Sequence, residues 1–395
     1  MSKLPGHSSF LPDFDIESNL NHYPLYLWID IENYSEEMVE RYMEYYKNYI
    51  NLFDGVIVHD KNMLVRKITD KLRNDTKLIF MPHTNVFSND RQKSWEKMID
   101  KINKNSIDII VGSKRTSELF TGHNDTNVNV YIGPTSGVPY DKIDYDFVRD
   151  KQHIENIKYD IYTYGSIHPG KGVHKTIELA NKLSQKRKEK IRVCIVGPES
   201  DAISKKYWEK ICKPMINQNV NVDYKKRVNY KKLIELLTKS KTVFLPSTHL
   251  KETFYACVWE ALSIRNDVVG ADWAGGGDAM HTYGGYPIPV EKVDQQIIDE
   301  TVSRDTISIK YVQENDGNIT GYEINMKKSI SIIDKLLDRN KEEIKIKQSI
   351  PGFAQLTNFE DTIVKILNEK PPYKVNTDSN NNKRKNFDCL KTHIE

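Results

Sequence analysis

The sequence predicts an α/β protein of two Rossmann-like domains. Three observations carry this: a length of 395 residues, a strand and helix alternation that starts twice, and a Pro/Gly-punctuated stretch between the two series. A chain this long exceeds what one hydrophobic core usually organises, so it divides into two lobes with a cleft between them. Short β-rich runs alternating with longer helical patterns favour parallel strands covered by helices on both faces.

The elements follow in order. After an irregular start, the apolar runs Leu25–Ile31, Gly55–His59, Leu78–Met81, Ile107–Gly112 and Val128–Ile132 read as strands. Between them, helices are expected over Glu36–Ile50, which is rich in tyrosine, near Asp90–Lys101 and over Thr116–Phe120. Gly133–Asp150 carries Pro134, Gly137 and Pro139 without a clear period and reads as the interdomain connection. The boundaries expected are 1–140 for the N-terminal domain and 141–158 for the linker. A second series opens with the strand Tyr159–Tyr164, followed by Ile191–Val196, Val220–Asp223 and Thr242–Pro246. Its helices are Val173–Lys188, Ser204–Ile216, Tyr230–Thr238 and Phe254–Ile264. This places a second domain over 159–350, a helix crossing back to the first domain over 351–372, and a polar, disordered tail over 373–395.

Composition excludes more than it selects. Hydrophobic residues make up 38% of the chain, and 22 Tyr, 12 Phe and 5 Trp argue for packed cores. Fifty-eight basic residues against 55 acidic ones give a net charge of +3, so electrostatics alone choose no partner. Cys194, Cys212, Cys257 and Cys389 show no CxxC pair or metal spacing, which fits a reducing compartment. The first twenty residues lack the apolar core of a signal peptide, and no run is long enough to span a bilayer. The expectation is a soluble, cytoplasmic protein whose oligomeric state is open.

The segment richest in chemistry is Val243-Phe244-Leu245-Pro246-Ser247, followed within five residues by Glu252 and then by Thr253, Phe254, Tyr255, Ala256 and Glu260. A buried strand here ends in a loop, and the loop opens a helix. Free backbone N–H groups at such a start, with the helix dipole, favour a phosphate. Glu252 is expected at the mouth of the helix and Glu260 about two turns inside it, placed to serve a sugar and a ribose.

Two glutamates seven residues apart, after an apolar strand ending Pro-Ser, resemble the EX7E signature of the retaining GT-B glycosyltransferases, especially their family 4. The run Tyr164-Gly165-Ser166 to Gly170-Lys171-Gly172 resembles that family's strand, glycine, loop and Lys-Gly. Gly197-Pro198-Glu199 resembles its turn beside the base, and the helix Tyr230–Thr238 fills its usual place. These segments cover about 160–290. In the N-terminal half, Leu78 to His83-Thr84 resembles the strand that delivers an active-site histidine, and Asp108 to Ser113 resembles an Asp-x-apolar-Ser strand. The glycine-rich loop usual after a first N-terminal strand is not visible. The family's usual arginine after the strand glycine is Ser166 here, with Lys175 or Arg227 as substitutes.

The resemblance implies a GT-B architecture, two Rossmann-like domains facing a central cleft, and sugar transfer with retention from a nucleoside diphosphate sugar. The donor is expected to be a UDP- or GDP-sugar, with no cofactor and no metal. Lys171 would carry the charge of the leaving diphosphate, Glu252 would hold the sugar, and His83 would contact sugar or acceptor. Gly165, Ser166, Gly197, Pro198, Arg227, Val228, Thr253, Phe254, Tyr255, Ala256 and Glu260 would complete the donor site. Gly275 and Gly276 are secondary candidates, because the family has glycines on the diphosphate side at that position.

The Gly275-Gly276-Gly277 run lacks the GxGxxG phasing and the domain-opening position of a dinucleotide loop. Asp13-Phe14-Asp15 and Asp144-Tyr145-Asp146 mimic a metal-binding DxD, yet a solvated loop explains them better. The acceptor is expected to be a glycan, glycoconjugate or small-molecule hydroxyl. Lys186-Arg187-Lys188 and Lys225-Lys226-Arg227 keep open a second acceptor, a hydroxylated base in DNA. A third reading is a non-catalytic sugar-nucleotide or glycan binding protein of the same fold.

Overall fold

The computed structural model describes residues 36–51, 55–59, 68, 71–72, 76–82, 107–118, 128–133, 156–199, 202–249, 252–265, 267–292, 322–339, 362 and 366. The strand expected at Leu25–Ile31, the helix near Asp90–Lys101, His83, most of the linker and the tail lie outside these residues.

In the N-terminal domain, helix α1 (Glu36–Ile50) precedes β1 (Gly55–His59), β2 (Lys77–Met81), β3 (Ile107–Val111), helix α2 (Lys114–Glu118) and β4 (Val128–Ile132). The four strands pair in chain order, all parallel. Every residue of β3 is buried, as a central parallel strand requires. Its one polar side chain, Asp108, accepts a hydrogen bond from Asn129 Nδ2 at 2.8 Å, and burial still pushes its carboxyl above the ordinary range. Ser113 starts α2 by accepting from the Thr116 backbone N–H at 3.0 Å, which explains a serine at the end of this strand.

The second domain runs β5 (Tyr159–Tyr164), a 3-10 turn (Pro169–Lys171), α3 (Val173–Arg187), β6 (Ile191–Val196), α4 (Ala202–Tyr207), β7 (Val220–Lys225), α5 (Tyr230–Thr238), β8 (Ser240–Leu245), α6 (Ala256–Ile264), β9 (Val268–Ala271), α7 (Ala274–Tyr283) and β10 (Tyr286–Ile288). A short antiparallel pair, β11 (Val290–Lys292) and β12 (Tyr322–Ile324), and helix α8 (Met326–Leu337) follow. The six-stranded sheet is parallel, in the order β10-β9-β8-β5-β6-β7. Winding therefore proceeds one way from β5 through β6 to β7, and the other way from β8 through β9 to β10. In open α/β sheets, ligands bind outside the strand carboxyl ends where the winding reverses. Here that place lies between β5 and β8.

Two sequence expectations shift. The helix expected over Ser204–Ile216 stops as α-helix at Tyr207 and continues as a π-turn over Trp208–Cys212 and a 3-10 turn over Lys213–Met215, where Pro214 interrupts the regular hydrogen-bond ladder. The helix expected from Phe254 starts at Ala256, because Tyr255 adopts a left-handed conformation at φ +60°. Elsewhere the caps follow the sequence: Asn229 accepts from the Lys232 N–H and Asn325 from the Lys328 N–H, opening α5 and α8.

Two groups of contacts tie distant parts together. Arg265, fully buried, donates to the Leu237, Ser240 and Lys241 carbonyls and pairs with Asp267, which also takes Arg339 from beyond α8 at 2.7 Å. At the other end of the molecule, Ile366 packs with Ile79, Met81, Ile110 and Tyr131 on the N-terminal sheet, and the Lys77 ammonium donates to its carbonyl.

Candidate functional site

The loops leaving β5 and β8 meet at the winding reversal. From β5, Gly165 turns the chain at φ +132°, a backbone conformation that favours glycine. Gly197, after β6, lies so close that a Cβ there would come within 1.8 Å of the Gly165 carbonyl oxygen. Gly165 is thus required by its backbone conformation and Gly197 by strand-end packing. The 3-10 turn follows, with Gly172 at φ +74° turning into α3. This turn presents Lys171.

The Lys171 ammonium donates to the Glu252 carboxylate, joining residues 81 positions apart. Burial works against the ammonium, but the Glu252 carboxylate more than offsets it and raises its pKa, so Lys171 is a cation at neutral pH. Glu252 is fixed from its own side too: its backbone N–H donates to the His249 carbonyl at 3.0 Å, and Ser247 Oγ lies 3.3 Å from its carboxylate. With side chains 26% and 12% exposed, Lys171 and Glu252 remain within reach of a ligand.

Glu260 sits on α6, only a little over one turn from the helix start at Ala256, rather than the two turns expected. Burial pushes its carboxyl up to about 7, partly opposed by the nearby Tyr164 hydroxyl, which donates to the Cys257 carbonyl at 2.6 Å. Cys257 lies beside it, and burial pushes that thiol well above its ordinary range, which leaves it unsuited as a nucleophile.

The remaining predicted residues divide. Ser166 is half-buried beside Gly165, Pro198 and Arg227 are exposed, and Val228 packs on the domain core. Thr253, Phe254 and Tyr255 are buried, and Ala256 is half-buried at the first position of α6. Phe254 and Thr253 face the other domain. A Cβ at Gly112 would lie 2.7 Å from that of Phe254, and Thr116 Oγ1 donates to the Thr253 carbonyl at 3.2 Å.

Gly275 and Gly276 lie in the first turn of α7 and are buried against protein. A Cβ on Gly275 would strike the Thr253 and Phe254 carbonyls, and one on Gly276 would come within 2.4 Å of the Tyr255 ring. Their small size makes room for the loop before α6. Lys175, a substitute for the missing arginine by sequence, is engaged with Glu178 at 3.4 Å and Glu323 at 3.0 Å. Four of the six residues of the basic clusters are likewise engaged: Lys186 and Arg187 pair with Asp334, Arg187 also with Asp338, Lys225 with Asp223 and Lys226 with Glu199.

Sequence reasoning missed a second buried charge cluster. Arg115 of α2 reaches across to Asp272 at 2.7 Å and Asp278 at 2.8 Å, and His281 Nε2 lies 3.0 Å from Asp272. No spacing rule links position 115 to 272 and 278. Helix α2 packs on α7 only once both domains are folded.

Fold and site together define a two-domain GT-B protein with a charged, glycine-framed site at the winding reversal of its C-terminal sheet. More particularly, residues 144–295, which hold the Lys171 and Glu252 loops and Glu260, match the family model Glycosyl transferases group 1. The fold is similar to that of trehalose 6-phosphate synthase from Burkholderia multivorans (TM-score 0.54, 10% identity, covering 84% of this chain and 74% of that one). It is also similar to a UDP-forming trehalose-phosphate synthase from Burkholderia xenovorans (TM-score 0.51, 11% identity, 84% and 77% covered). An E. coli structure described as bound with UDP-2-fluoro glucose has a TM-score of 0.51 at 11% identity, with 85% and 78% covered. No curated protein matches the chain by sequence. Among the described residues, no helix is long and apolar enough to cross a membrane.

Proposed function

We propose that this protein is a glycosyltransferase that moves a sugar from a nucleoside diphosphate sugar to an acceptor hydroxyl with retention of configuration. One observation carries the reading: Lys171 and Glu252, from the two loops that flank the winding reversal, meet as a half-buried ion pair within the segment that matches glycosyl transferases. A cation and a carboxylate there suit a leaving diphosphate and the sugar joined to it.

In this reading the diphosphate lies over the start of α6, where backbone N–H groups and the Lys171 ammonium face the charge that develops as the sugar departs. Preorganised charge of this kind needs no metal. Glu252 accepts hydrogen bonds from sugar hydroxyls and so fixes which face meets the acceptor. Glu260, as a carboxylate, accepts from the ribose hydroxyls, and His83 serves the sugar or acceptor. UDP and GDP are the nucleotides proposed first; a UDP-sugar ligand is also named for the E. coli structure of this fold. A glycan, glycoconjugate or small-molecule hydroxyl is favoured over DNA as acceptor, since four of the six basic residues that suggested a phosphate track are paired with carboxylates.

The test is a thermal-shift screen of the protein against UDP, GDP, ADP and their hexose derivatives, because a ligand of the native state raises the melting temperature by mass action. Selective stabilisation by one nucleotide, absent in Glu260→Ala, is the expected result. No stabilisation by any of them at millimolar concentration overturns the reading.

A further inference from the structure

Tyr255 occupies an unusual position. It is the residue before α6, with φ +60° and ψ +59°, a left-handed conformation that is strained for a residue other than glycine. Such strain persists only where the surroundings over-determine it, and it gathers at functional sites.

The ring is 4% exposed, too covered to stack on a ligand. Three contacts hold it. Its face lies under the Lys171 ammonium, with 5.6 Å from Nζ to the ring centroid, a distance at which a cation is attracted by the ring quadrupole. Its edge rests on Gly276, where no larger residue fits. Its hydroxyl accepts the Ser247 backbone N–H at 3.1 Å, and Ser247 is the residue whose Oγ approaches Glu252. One side chain therefore touches both loops: the β5 loop through Lys171 and the β8 loop through Ser247.

We propose that Tyr255 is a positioning residue that sets the mutual geometry of Lys171 and Glu252 from beneath the site, without touching the donor. The left-handed backbone is what turns its ring inward under Lys171, and the glycine at 276 is what leaves the space for it. The two contacts divide the work. The ring holds the cation for the diphosphate, and the hydroxyl holds the loop whose carboxylate meets the sugar. This inference rests on the donor reading of the site, and its test separates the two.

The experiment is calorimetric titration with UDP and with UDP-glucose, alongside GDP and GDP-mannose, on wild type, Tyr255→Phe, Tyr255→Leu and Lys171→Ala. Each variant's melting temperature is measured first. Tyr255→Phe keeps the ring and loses only the hydroxyl, so it should bind the nucleoside diphosphate within about twofold of wild type while losing severalfold in affinity for the sugar nucleotide. Tyr255→Leu removes the face under Lys171 and should weaken both ligands by about fivefold or more. A Phe variant that binds both ligands like wild type, or that loses both equally, overturns the division of work. A folded Leu variant that binds like wild type overturns the positioning role, provided Lys171→Ala is impaired. If neither nucleotide pair binds the wild type, or Lys171→Ala is also unimpaired, the donor reading itself has failed and the Tyr255 role with it. A purely structural tyrosine would move melting temperature and both affinities together.

Discussion

Among the described residues, the charge clusters around Lys171 and around Arg115 have similar chemistry and different design. In the first, Lys171 and Glu252 meet between two loops of one domain, are partly open to solvent, and consist of one charge of each sign. In the second, Arg115 crosses from α2 to Asp272 and Asp278 by α7, its side chain 11% exposed, with two carboxylates around one guanidinium. The open pair keeps both charges within reach of a ligand. The second cluster spends its charges on holding two domains in register, and a guanidinium, with several N–H donors in a fixed fork, reaches two carboxylates better than an ammonium does. Similar ion pairs thus mark a site in one place and a seam in the other, and position is what separates them: one joins two loops at the winding reversal of a single sheet, the other joins helices of two domains.

Mutations should separate them in the same way. The largest effect is expected from Glu252→Ala, which should lower sugar transfer by about a hundredfold or more while melting within a few degrees of wild type; transfer near the wild-type rate would remove Glu252 from the site. Arg115→Ala should do the opposite in kind. It strands two carboxylates in a buried seam, at a cost of about 3 kcal/mol, read as a lower melting temperature or denaturation midpoint. An unchanged melting temperature would mean the seam is not held by charge.

A smaller effect is expected from pH. The Glu260 carboxyl, pushed up to about 7 by burial, is protonated in the folded chain below that pH and ionised above it. Nucleotide affinity should therefore weaken as pH falls through 7, and Glu260→Gln should flatten that dependence. The stability sign runs the other way: the folded state holds this proton and the unfolded state does not between about 4.5 and 7, so this group's cost to folding is relieved as pH drops across that window. An affinity profile with the same slope in Glu260→Gln would assign the titration to another group.

Much of the fold was legible from local pattern. Gly55–His59, Val128–Ile132, Tyr159–Tyr164 and Ile191–Val196 are apolar runs bounded by turn residues, and they are strands at those limits. The Lys171 and Glu252 loops were legible because each follows such a strand in a recognisable order. What sequence could not show is set by tertiary contact. Tyr255 is left-handed because its ring is held between Lys171 and Gly276, which no propensity encodes. Arg115 looks like an ordinary first-turn residue until α7 brings two aspartates to it. Gly275 and Gly276 read as ligand glycines, yet they are small for the sake of the loop that α7 packs against.

The central claim is that Lys171 holds the diphosphate of a nucleotide ligand at the winding reversal. It is tested most directly by titrating the preferred nucleoside diphosphate into wild type and Lys171→Ala, with the fold of each checked by circular dichroism. A loss of at least about tenfold in affinity is expected, the scale of one charge-assisted hydrogen bond to phosphate. Equal affinity in a folded Lys171→Ala variant would contradict it.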